Sequence, residues 1–466
     1  FCLREFPYIS PSTINVGLIK KISVASLLTD QYYRPFKGLS KPPYFIILTP
    51  EIHLGQKVAE CIYYDKGENG KCQNKYPDSN FYKLFKIERP STIDDALKII
   101  SYNDISNIIN EELDKELNAQ NREILPIIII PKDSKANPYS PYYTIKAELL
   151  SRGFVSQFIN IETINNPDTF RNSLLSLYTQ LFVKAGGIPY LVSNSYILSN
   201  KGEYNIIIGY SLSRDPIRRK NAVGSIIVYN PTGQWLVNEF VFDELPFKDK
   251  NKLDDYKQNL EIALKRAYQT AIKEAVLQSV HKVNVIIHYR GKDLSSKEEQ
   301  VILDTIESFS EINSSVYVLK IQQSDIILSV TSKYYPDTDG YPPTGYYERL
   351  LPDTFILQTV GKHIELRSQK GDRPRGNIKG GTARPILVSI KKFEENKNVE
   401  LNNIALLSTV FGLARINYVS VYQSLNSEPV TTRYARELAY IISRLGHKAI
   451  NNEIISKLLK GRMWFI

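Results

Sequence analysis

Two lysines, a tyrosine and a glutamine are spaced so that they could bind a terminal phosphate. Tyr142 and Lys146 are four residues apart in SPYYTIKAELLSR, which predicts a helix capped by Ser140, so their side chains share one face. Gln157 falls in the next predicted strand, and Lys184 falls in the last turn of the helix after it. If these segments converge at one edge of a sheet, they form an anion pocket with a ring for base stacking. Spacing alone does not distinguish this pocket from four ordinary surface residues.

Dense apolar runs around these residues predict the strands of a parallel sheet. The runs are Pro43–Pro50, bounded by prolines, and Ile124–Pro131. Residues 154–164 predict a further strand, and residues 91–117 predict one long helix with Ser91 as its N-cap.

The alternation of strands and helices predicts a Rossmann-like α/β domain over residues 41–190, preceded by an extended segment over residues 1–40. The pattern then changes to a run of strands that turns at residues 230–233, a long helix at about residues 253–279, and alternating strands and helices. That order is typical of an RNase H-like fold. We therefore predict an α/β protein with an RNase H-like domain over residues 191–466.

The composition narrows the classes of function. The chain has 466 residues, of which 42% are hydrophobic, so it can bury a large core. Its net charge of +10 favours a polyanionic partner, either nucleic acid or an anionic membrane surface. It contains neither a GxxxxGK[ST] phosphate loop nor an HExxH zinc motif. Because its start lacks the apolar region of a signal peptide, we expect a cytoplasmic protein.

The three cysteines, Cys2, Cys61 and Cys72, match neither a disulfide framework nor a zinc-ligand pattern. One bridge between Cys61 and Cys72 is compatible with the sequence. We expect two unrelated thiols instead, because thiols stay reduced in the cytoplasm.

The residues of the predicted anion pocket resemble a family motif. Tyr142-x3-Lys146, Gln157 within SQF and Lys184 within KAGGIPY are similar to the Tyr-Lys-Gln-Lys set of the MID domain of prokaryotic Argonaute proteins. The resemblance implies that they hold the 5′ phosphate of a guide strand, which is RNA or DNA. The family also uses the carboxylate of its final residue to bind a divalent cation on that phosphate. In the ending GRMWFI this implies that Ile466 holds a structural Mg²⁺ ion.

The second half of the chain resembles the PIWI domain of the same family. YNIIIGYSLSR, VIIHYRG and LARINYVSVYQSLNSEPVTTRYARELA are similar to its opening strand, its second catalytic strand and its closing segment. In PIWI domains that slice, carboxylates at these places hold two Mg²⁺ ions, and the last ligand is Asp or His. Here Ser211, Arg290 and Arg436 occupy the three places. Because arginine cannot ligate Mg²⁺, we expect no slicing and no catalytic residue.

Basic residues are expected to contact the backbone of a nucleic-acid duplex. Arg290 and Arg436 could bind phosphates where metal ions would have lain, although drift after the loss of catalysis would also leave arbitrary residues there. The glycine-rich segment 361–385 has seven cationic and two acidic residues, a net charge of +5. It is either a solvated loop or a contact with phosphates, and we favour the contact. The expected contacts in this segment are Arg373, Arg375 and Lys379.

No region before the MID-like domain fits a PAZ domain, so the chain resembles the short, archaeal-type class of prokaryotic Argonaute with MID and PIWI domains only. The resemblance implies a protein that holds a 5′-phosphorylated guide and recognises a complementary target without cleaving it. It also implies a role in defence against plasmids or viruses with an accessory effector protein, and no membrane partner. The alternative is an RNase H-like endonuclease with a non-standard metal site. The spacing of the nearby acids, Asp215, Glu239 and Asp293, does not support such a site.

Overall fold

A computed structural model gives the fold of the chain. It describes residues 4–5, 18–19, 28–30, 33–64, 72, 79–102, 105, 109, 123–132, 137, 140–192, 202–214, 222–243, 250–277, 280, 282–290, 294, 296–309, 313–323, 346–358, 385–393, 403–421, 428–445 and 462–466.

The described residues form two stretches in which strands and helices alternate along the chain. The strands are β1 (Arg4–Glu5), β2 (Leu18–Ile19), β3 (Tyr44–Thr49), β4 (Leu97–Ser101), β5 (Ile124–Ile130), β6 (Gln157–Asn160), β7 (Leu191–Val192), β8 (Glu203–Arg214), β9 (Ala222–Tyr229), β10 (Trp235–Asp243), β11 (Lys282–Arg290), β12 (Asn313–Gln323), β13 (Tyr346–Leu351), β14 (Thr354–Gln358) and β15 (Ile386–Phe393). The helices are α1 (Ile52–Tyr63), α2 (Phe81–Phe85), α3 (Ile93–Ala96), α4 (Pro141–Ser151), α5 (Ile161–Asn165), α6 (Pro167–Lys184), α7 (Lys250–Leu277), α8 (Ser296–Glu307), α9 (Asn403–Leu413) and α10 (Val430–Leu445).

The first sheet is parallel, as the apolar runs predicted. Its four strands lie in the order β4-β3-β5-β6, and each neighbouring pair is parallel. The central strands β3 and β5 are buried along their whole length, which explains why their sequences are almost continuously apolar. Helices α1, α4 and α6 follow β3, β5 and β6 respectively, in the Rossmann-like alternation.

The second sheet contains the predicted RNase H-like arrangement. Its order is β1-β13-β14-β15-β12-β11-β8-β9-β10. Strands β8, β9 and β10 are antiparallel neighbours, while β11 and β12 run parallel to β8 on its other side. Strands β15, β14, β13 and β1 extend the sheet by antiparallel pairing. The fold class is therefore α/β, with a Rossmann-like part followed by an RNase H-like part.

One hydrophobic core joins the two sheets. Tyr178 of α6 belongs to the same buried cluster as Tyr434 of α10. Hydrogen bonds cross this core, because the Tyr418 hydroxyl donates to the Tyr190 carbonyl at 2.8 Å and the Tyr190 hydroxyl donates to the Asn417 carbonyl at 2.7 Å. These contacts fix the two sheets relative to each other.

The prediction of one helix over residues 91–117 is wrong. Only α3 is helical in its first part, and Thr92 caps it, where Ser91 was expected. Residues 97–101 form strand β4, because they pair in parallel with β3 from Leu97 to Ser101 and because Ile99 and Ile100 suit an extended backbone. Most of the remaining predicted helix lies outside the described residues.

The prediction of a strand over residues 154–164 is correct only at its centre. Strand β6 ends at Asn160, opposite Ile130, the last residue of its partner β5. Strand β5 ends at this point, and Ile161–Asn165 forms helix α5 instead.

The expectation of free thiols at Cys61 and Cys72 is also wrong. The two cysteines form a disulfide, with their Cα atoms 4.9 Å apart. Both are buried in the core beside the end of α1, where the Cys61 carbonyl accepts a hydrogen bond from the Tyr178 hydroxyl. Packing of the two segments against one core brings the sulfur atoms within bonding reach, an effect that spacing in the sequence does not reveal.

We expect the double variant Cys61→Ser/Cys72→Ser to be less stable than the wild type. The bridge joins residues 11 apart, and closing a loop of this size stabilises a fold by roughly 3 kcal/mol through the unfolded chain. Thermal unfolding followed by circular dichroism should show a midpoint lower by several degrees. Cys2→Ser is the matched control, since Cys2 is not part of the bridge. Equal midpoints for the double variant and the wild type would contradict the prediction.

Candidate nucleic-acid interface

Helix α4 begins where the sequence predicted and carries two of the pocket residues. The Ser140 hydroxyl accepts a hydrogen bond from the Tyr142 backbone N–H at 3.3 Å, and Pro141 occupies the first helical position. Both Tyr142 and Lys146 are buried. The capped start of α4 therefore fixes both side chains beside strand β6.

Lys146 lies between two aromatic rings and the C-terminal segment. Its Nζ atom is 5.6 Å from the centre of the Tyr142 ring and 5.8 Å from the centre of the Phe158 ring. The two rings are themselves 4.6 Å apart. The same ammonium group donates a hydrogen bond to the Trp464 carbonyl at 3.0 Å. Ring faces and a carbonyl dipole both favour a cation here, although Lys146 is only 1% exposed.

Lys184 lies in the last turn of α6, where the helix dipole favours a cation. Its Nζ atom donates to the Ser156 carbonyl at 2.9 Å and to Gln157 Oε1 at 2.7 Å. The Gln157 amide nitrogen in turn donates to the Phe158 carbonyl at 3.0 Å. The chain then leaves the helix through Gly186, whose φ of 89° suits glycine, so the glycine pair after Lys184 serves to end the helix.

These contacts bring the four predicted pocket residues together. Tyr142 and Lys146 contact Phe158. Phe158 is the next residue after Gln157, and the Gln157 side chain accepts a hydrogen bond from Lys184. Burial raises the pKa of the Tyr142 phenol above its usual value, which already keeps the group protonated at neutral pH. Two ammonium groups, a phenol and an amide beside the start of a helix form a set of donors that suits an anionic phosphate.

The C-terminal segment packs beside this pocket. Met463, Trp464 and Phe465 are buried in the core, and Arg462 forms an ion pair with Glu123 at 3.0 Å, next to the start of β5. Burial raises the pKa of the Glu123 carboxyl, and Arg462 opposes that rise. Ile466 follows two residues after the carbonyl that contacts Lys146.

Two of the three positions expected to have lost metal ligands contact one glutamate, and the third is the strand neighbour of one of them. Ser211 and Arg290 are partners on the neighbouring parallel strands β8 and β11. An Nη1 atom of Arg290 contacts Glu428 Oε2, and Arg436 Nη2 lies 3.2 Å from the same oxygen. The side chain of Glu428 is 6% exposed, against 31% for Arg290 and 36% for Arg436. A buried carboxylate therefore lies beneath two partly exposed guanidinium groups.

The charges of this cluster favour an anion. Because Arg290 and Arg436 contact the same oxygen atom, the contacting nitrogens lie at most about 6 Å apart. At that distance two unit charges would repel each other by roughly 1–3 kcal/mol without a carboxylate between them. Two guanidinium charges and one carboxylate charge leave a net charge of +1 at the surface of the cluster. Such a surface attracts phosphate and repels a metal cation.

The chain was compared with protein families, curated proteins and solved structures. A family model for the Piwi domain matches residues 126–447, more than half of the chain. The chain belongs to the Piwi domain family. No curated protein matches it.

Solved structures share the fold of this Piwi-family chain. Drosophila Piwi is 14% identical with a TM-score of 0.59, and the match covers 93% of this chain and 51% of that one. Clostridium butyricum Argonaute, bound to a guide DNA (5′ deoxycytidine) and a 19-mer target DNA, is 19% identical with a TM-score of 0.57 over 88% of this chain and 50% of that one. Aquifex aeolicus Argonaute is 20% identical with a TM-score of 0.52 over 95% and 54%. The chain thus spans about half the length of these structures.

Sequence reasoning missed residues that complete both sites of this Piwi-family chain. Ser156 and Trp464 contribute backbone carbonyls, which no pattern of side chains reveals. Phe158 could have been identified from the sequence, because it directly follows Gln157 in SQF. Glu428 was available as an acid shortly before Arg436, but its place beneath the arginines depends on how α10 packs.

Some predicted contacts lie outside the described residues. They are Arg373, Arg375 and Lys379 of the glycine-rich segment. Asp215 and Asp293, two of the acids considered for a non-standard metal site, also lie outside the described residues. Glu239 lies on strand β10 opposite Ile226, at the edge of the large sheet and two strands away from Ser211. Within the described ranges, no group of three or more His, Cys, Asp and Glu residues could hold a metal ion.

Among the helices that the structure describes, none combines the length and the apolar composition needed to cross a membrane.

Helix α10, which carries Arg436, packs closely on strands β8 and β11 next to the cluster of Arg290, Arg436 and Glu428. A Cβ atom at Gly209 of β8 would come within 2.3 Å of the Thr431 carbonyl oxygen, so only glycine allows this approach. Next to Gly209 on β11, His288 Nδ1 lies 2.8 Å from the Thr431 hydroxyl and Nε2 lies 2.9 Å from the Thr409 hydroxyl. Burial lowers the pKa of His288 to about 3, so the ring is neutral and can donate through one nitrogen and accept through the other.

His288 should make the stability of the fold depend on pH. Below an unfolded-state pKa of about 6.5, the unfolded chain binds a proton that the folded chain excludes, so stability falls as pH decreases from there towards about 3. The slope is as much as roughly 1.4 kcal/mol per pH unit. Asparagine keeps a donor and an acceptor but does not titrate. The free energy of unfolding should therefore fall by roughly 2 kcal/mol less in His288→Asn than in the wild type when the pH is lowered from 7 to 5.

Denaturant unfolding at the two pH values measures this difference. His53→Asn, at an exposed histidine of α1, is the control and should behave as the wild type. If His288→Asn loses as much stability between pH 7 and pH 5 as the wild type does, the His288 ring is not the cause of the pH dependence.

Proposed function

We propose that this chain holds the 5′ phosphate of a guide strand, RNA or DNA, and uses the guide to recognise complementary nucleic acid. The observation that carries the proposal is the convergence of two buried lysines, Gln157 and Tyr142 around Phe158. Clostridium butyricum Argonaute, which shares the fold, is bound to a guide DNA and a target DNA.

Each pocket residue has a distinct role in this proposal. Lys146 and Lys184 neutralise the phosphate, which carries more charge at a strand end than within the strand. The Gln157 amide group orients Lys184 and adds hydrogen-bonding capacity to the pocket. The Tyr142 ring stacks on the first base, and its phenol, which is neutral at physiological pH, can donate a hydrogen bond.

A Mg²⁺ ion on the 5′ phosphate fits this pocket only with help from the ligand. The side chains that meet here are donors, and a hard cation needs oxygen ligands. Such an ion would depend on phosphate oxygens, water and the Ile466 carboxylate, where it would offset the repulsion between phosphate and carboxylate. This role of Ile466 stays a prediction.

We further propose that the cleft around Ser211 does not cleave the target. The support is chemical, because a hydroxyl and two guanidinium groups occupy the places from which metal ligands would come. Arg290 and Arg436 would instead bind phosphates of the paired strands, together with Arg373, Arg375 and Lys379 of the glycine-rich segment.

Recognition without cleavage requires a second activity to have an effect. We therefore propose that the chain acts in the cytoplasm with an accessory effector protein, in a short Argonaute system that defends the cell against plasmids or viruses. Base pairing would select the target, and the effector would do the damage.

The pocket predicts that guide binding depends on a 5′ phosphate. We expect Lys146→Ala and Lys184→Ala each to weaken binding of a 5′-phosphorylated strand by roughly 10- to 100-fold, the value of a charge-assisted hydrogen bond. Binding of the same strand with a 5′ hydroxyl should change little. The ratio of the two dissociation constants is the measurement, because loss of folded protein would weaken both equally.

Lys57→Ala is the matched control, since Lys57 is an exposed lysine on α1 outside the pocket. Equal binding of 5′-phosphate and 5′-hydroxyl strands by the wild type would sink the proposed guide-binding function.

The arginine cluster predicts that a guided target stays intact. Guide-loaded protein incubated with a labelled complementary target and Mg²⁺ or Mn²⁺ should give no specific product, because the cleft cannot hold two metal ions between guanidinium groups. A specific product that disappears when one acid, such as Glu239, is changed to alanine would favour the endonuclease alternative. A non-complementary guide controls for contaminating nucleases.

A further inference from the structure

We infer that Glu428 is a positioning residue, which holds Arg290 and Arg436 together as one site for a single phosphodiester of the paired guide and target strands. The inference rests on the proposed function, since the ligand is the backbone of that duplex. It adds a residue that no motif identifies and a reason for the presence of two arginines.

One atom of Glu428 positions both arginines. Glu428 Oε2 contacts Arg290 from the end of strand β11 and Arg436 from helix α10, so a single oxygen sets the distance between groups on two separate elements. Without an anion between them, the two guanidinium groups would repel each other and move apart into solvent. The carboxylate therefore keeps them close enough to bind the same phosphate.

The Glu428 carboxylate is itself held in place by the packing around it. Glu428 is buried and lies two residues before the start of α10, and Val430 and Thr431 at that start are buried as well. The His288 contact with the Thr431 hydroxyl and the close approach of Thr431 to Gly209 fix this end of the helix. A rigid acceptor lowers the entropy that two long side chains lose on binding a ligand.

Both arginines have more N–H donors than the contact with Glu428 uses. A guanidinium group carries five N–H donors in a planar fork, so the contact with Glu428 engages only part of each arginine. About a third of each arginine side chain is exposed. Those exposed parts can bind the non-bridging oxygens of a phosphodiester, a geometry for which arginine is suited and lysine is not.

Positioning and simple charge make opposite predictions for Glu428→Gln. Removal of a negative charge beside the duplex should by itself tighten binding and steepen its dependence on salt. If Glu428 positions the arginines, the variant binds the complementary target about 10-fold more weakly in spite of its added positive charge. The plot of log K against log salt should then be shallower by about 1, because the contact with that phosphodiester is lost.

The experiment measures target binding by guide-loaded protein over a range of salt concentrations. Arg290→Ala/Arg436→Ala should lower the slope by about 1, and adding Glu428→Gln to it should not weaken binding further. Arg290→Lys/Arg436→Lys keeps both charges and Glu428 but loses the planar guanidinium groups, so it should also bind more weakly. This variant decides the matter if Glu428→Gln does not fold.

Glu261→Gln is the matched control, since Glu261 also pairs with a cation, Lys265. This pair lies on helix α7, which packs in a different core cluster from α10.

Folded Glu428→Gln with equal or tighter target binding and an unchanged or steeper slope would overturn the inference, as would wild-type affinity in the double lysine variant. Loading of 5′-phosphate and 5′-hydroxyl guides is measured on the same preparations. A wild type that ignores the 5′ phosphate contradicts the proposed function and the inference together. A wild type that requires the phosphate, beside an unaffected Glu428→Gln, contradicts the inference alone.

Discussion

The close packing of helix α10 on strands β8 and β11 determines where both candidate sites lie. Gly209 lets the backbone at Thr431 approach the sheet more closely than any side chain would allow, and His288 bonds the same threonine from the next strand. This contact places Glu428 and Arg436 above the ends of the central strands. Further along, Tyr440 of the same helix packs with the core cluster around Tyr142, so one rigid element contacts the surroundings of both sites.

Both sites share a way of keeping positive charge in buried or half-buried places. At the pocket, carbonyl oxygens and ring faces hold Lys146, and a carbonyl and an amide oxygen hold Lys184. At the cleft, a buried carboxylate holds two arginines. In each case the protein supplies enough negative or dipolar character to keep the cations in place. The cations are held in place by the protein itself, so binding of the proposed phosphate ligand would require little reorganisation.

The sequence predicted what depends on local pattern and family motif, and it failed where tertiary packing decides. The run Ile124–Pro131 identifies a buried strand in almost any context, and the Ser140-Pro141 start of α4 depends only on its own residues. The structure of residues 97–101 is not determined by their own sequence in this way. They form a strand because they pair with the neighbouring strand β3. The pocket side chains could be named from spacing and resemblance. The carbonyls of Ser156 and Trp464 could not, because every residue has one and only the fold selects which of them meets a lysine.

A rigid connection between the two sites has a consequence for how a guide would be read. If the 5′ phosphate is held beside α4 and one phosphodiester is held above Glu428, then the path of the strand between them has a fixed length, since α10 and the shared core prevent the two sheets from sliding. The arginines would then meet the same step of every guide, counted from its 5′ end. In a Piwi-family fold that cleaves, such a fixed count would select the bond to be cut. If this chain does not cleave, as proposed, the same count would select the step at which the arginines contact the paired strands. A mismatch at that step would weaken binding through the position of the backbone rather than through contact with a base.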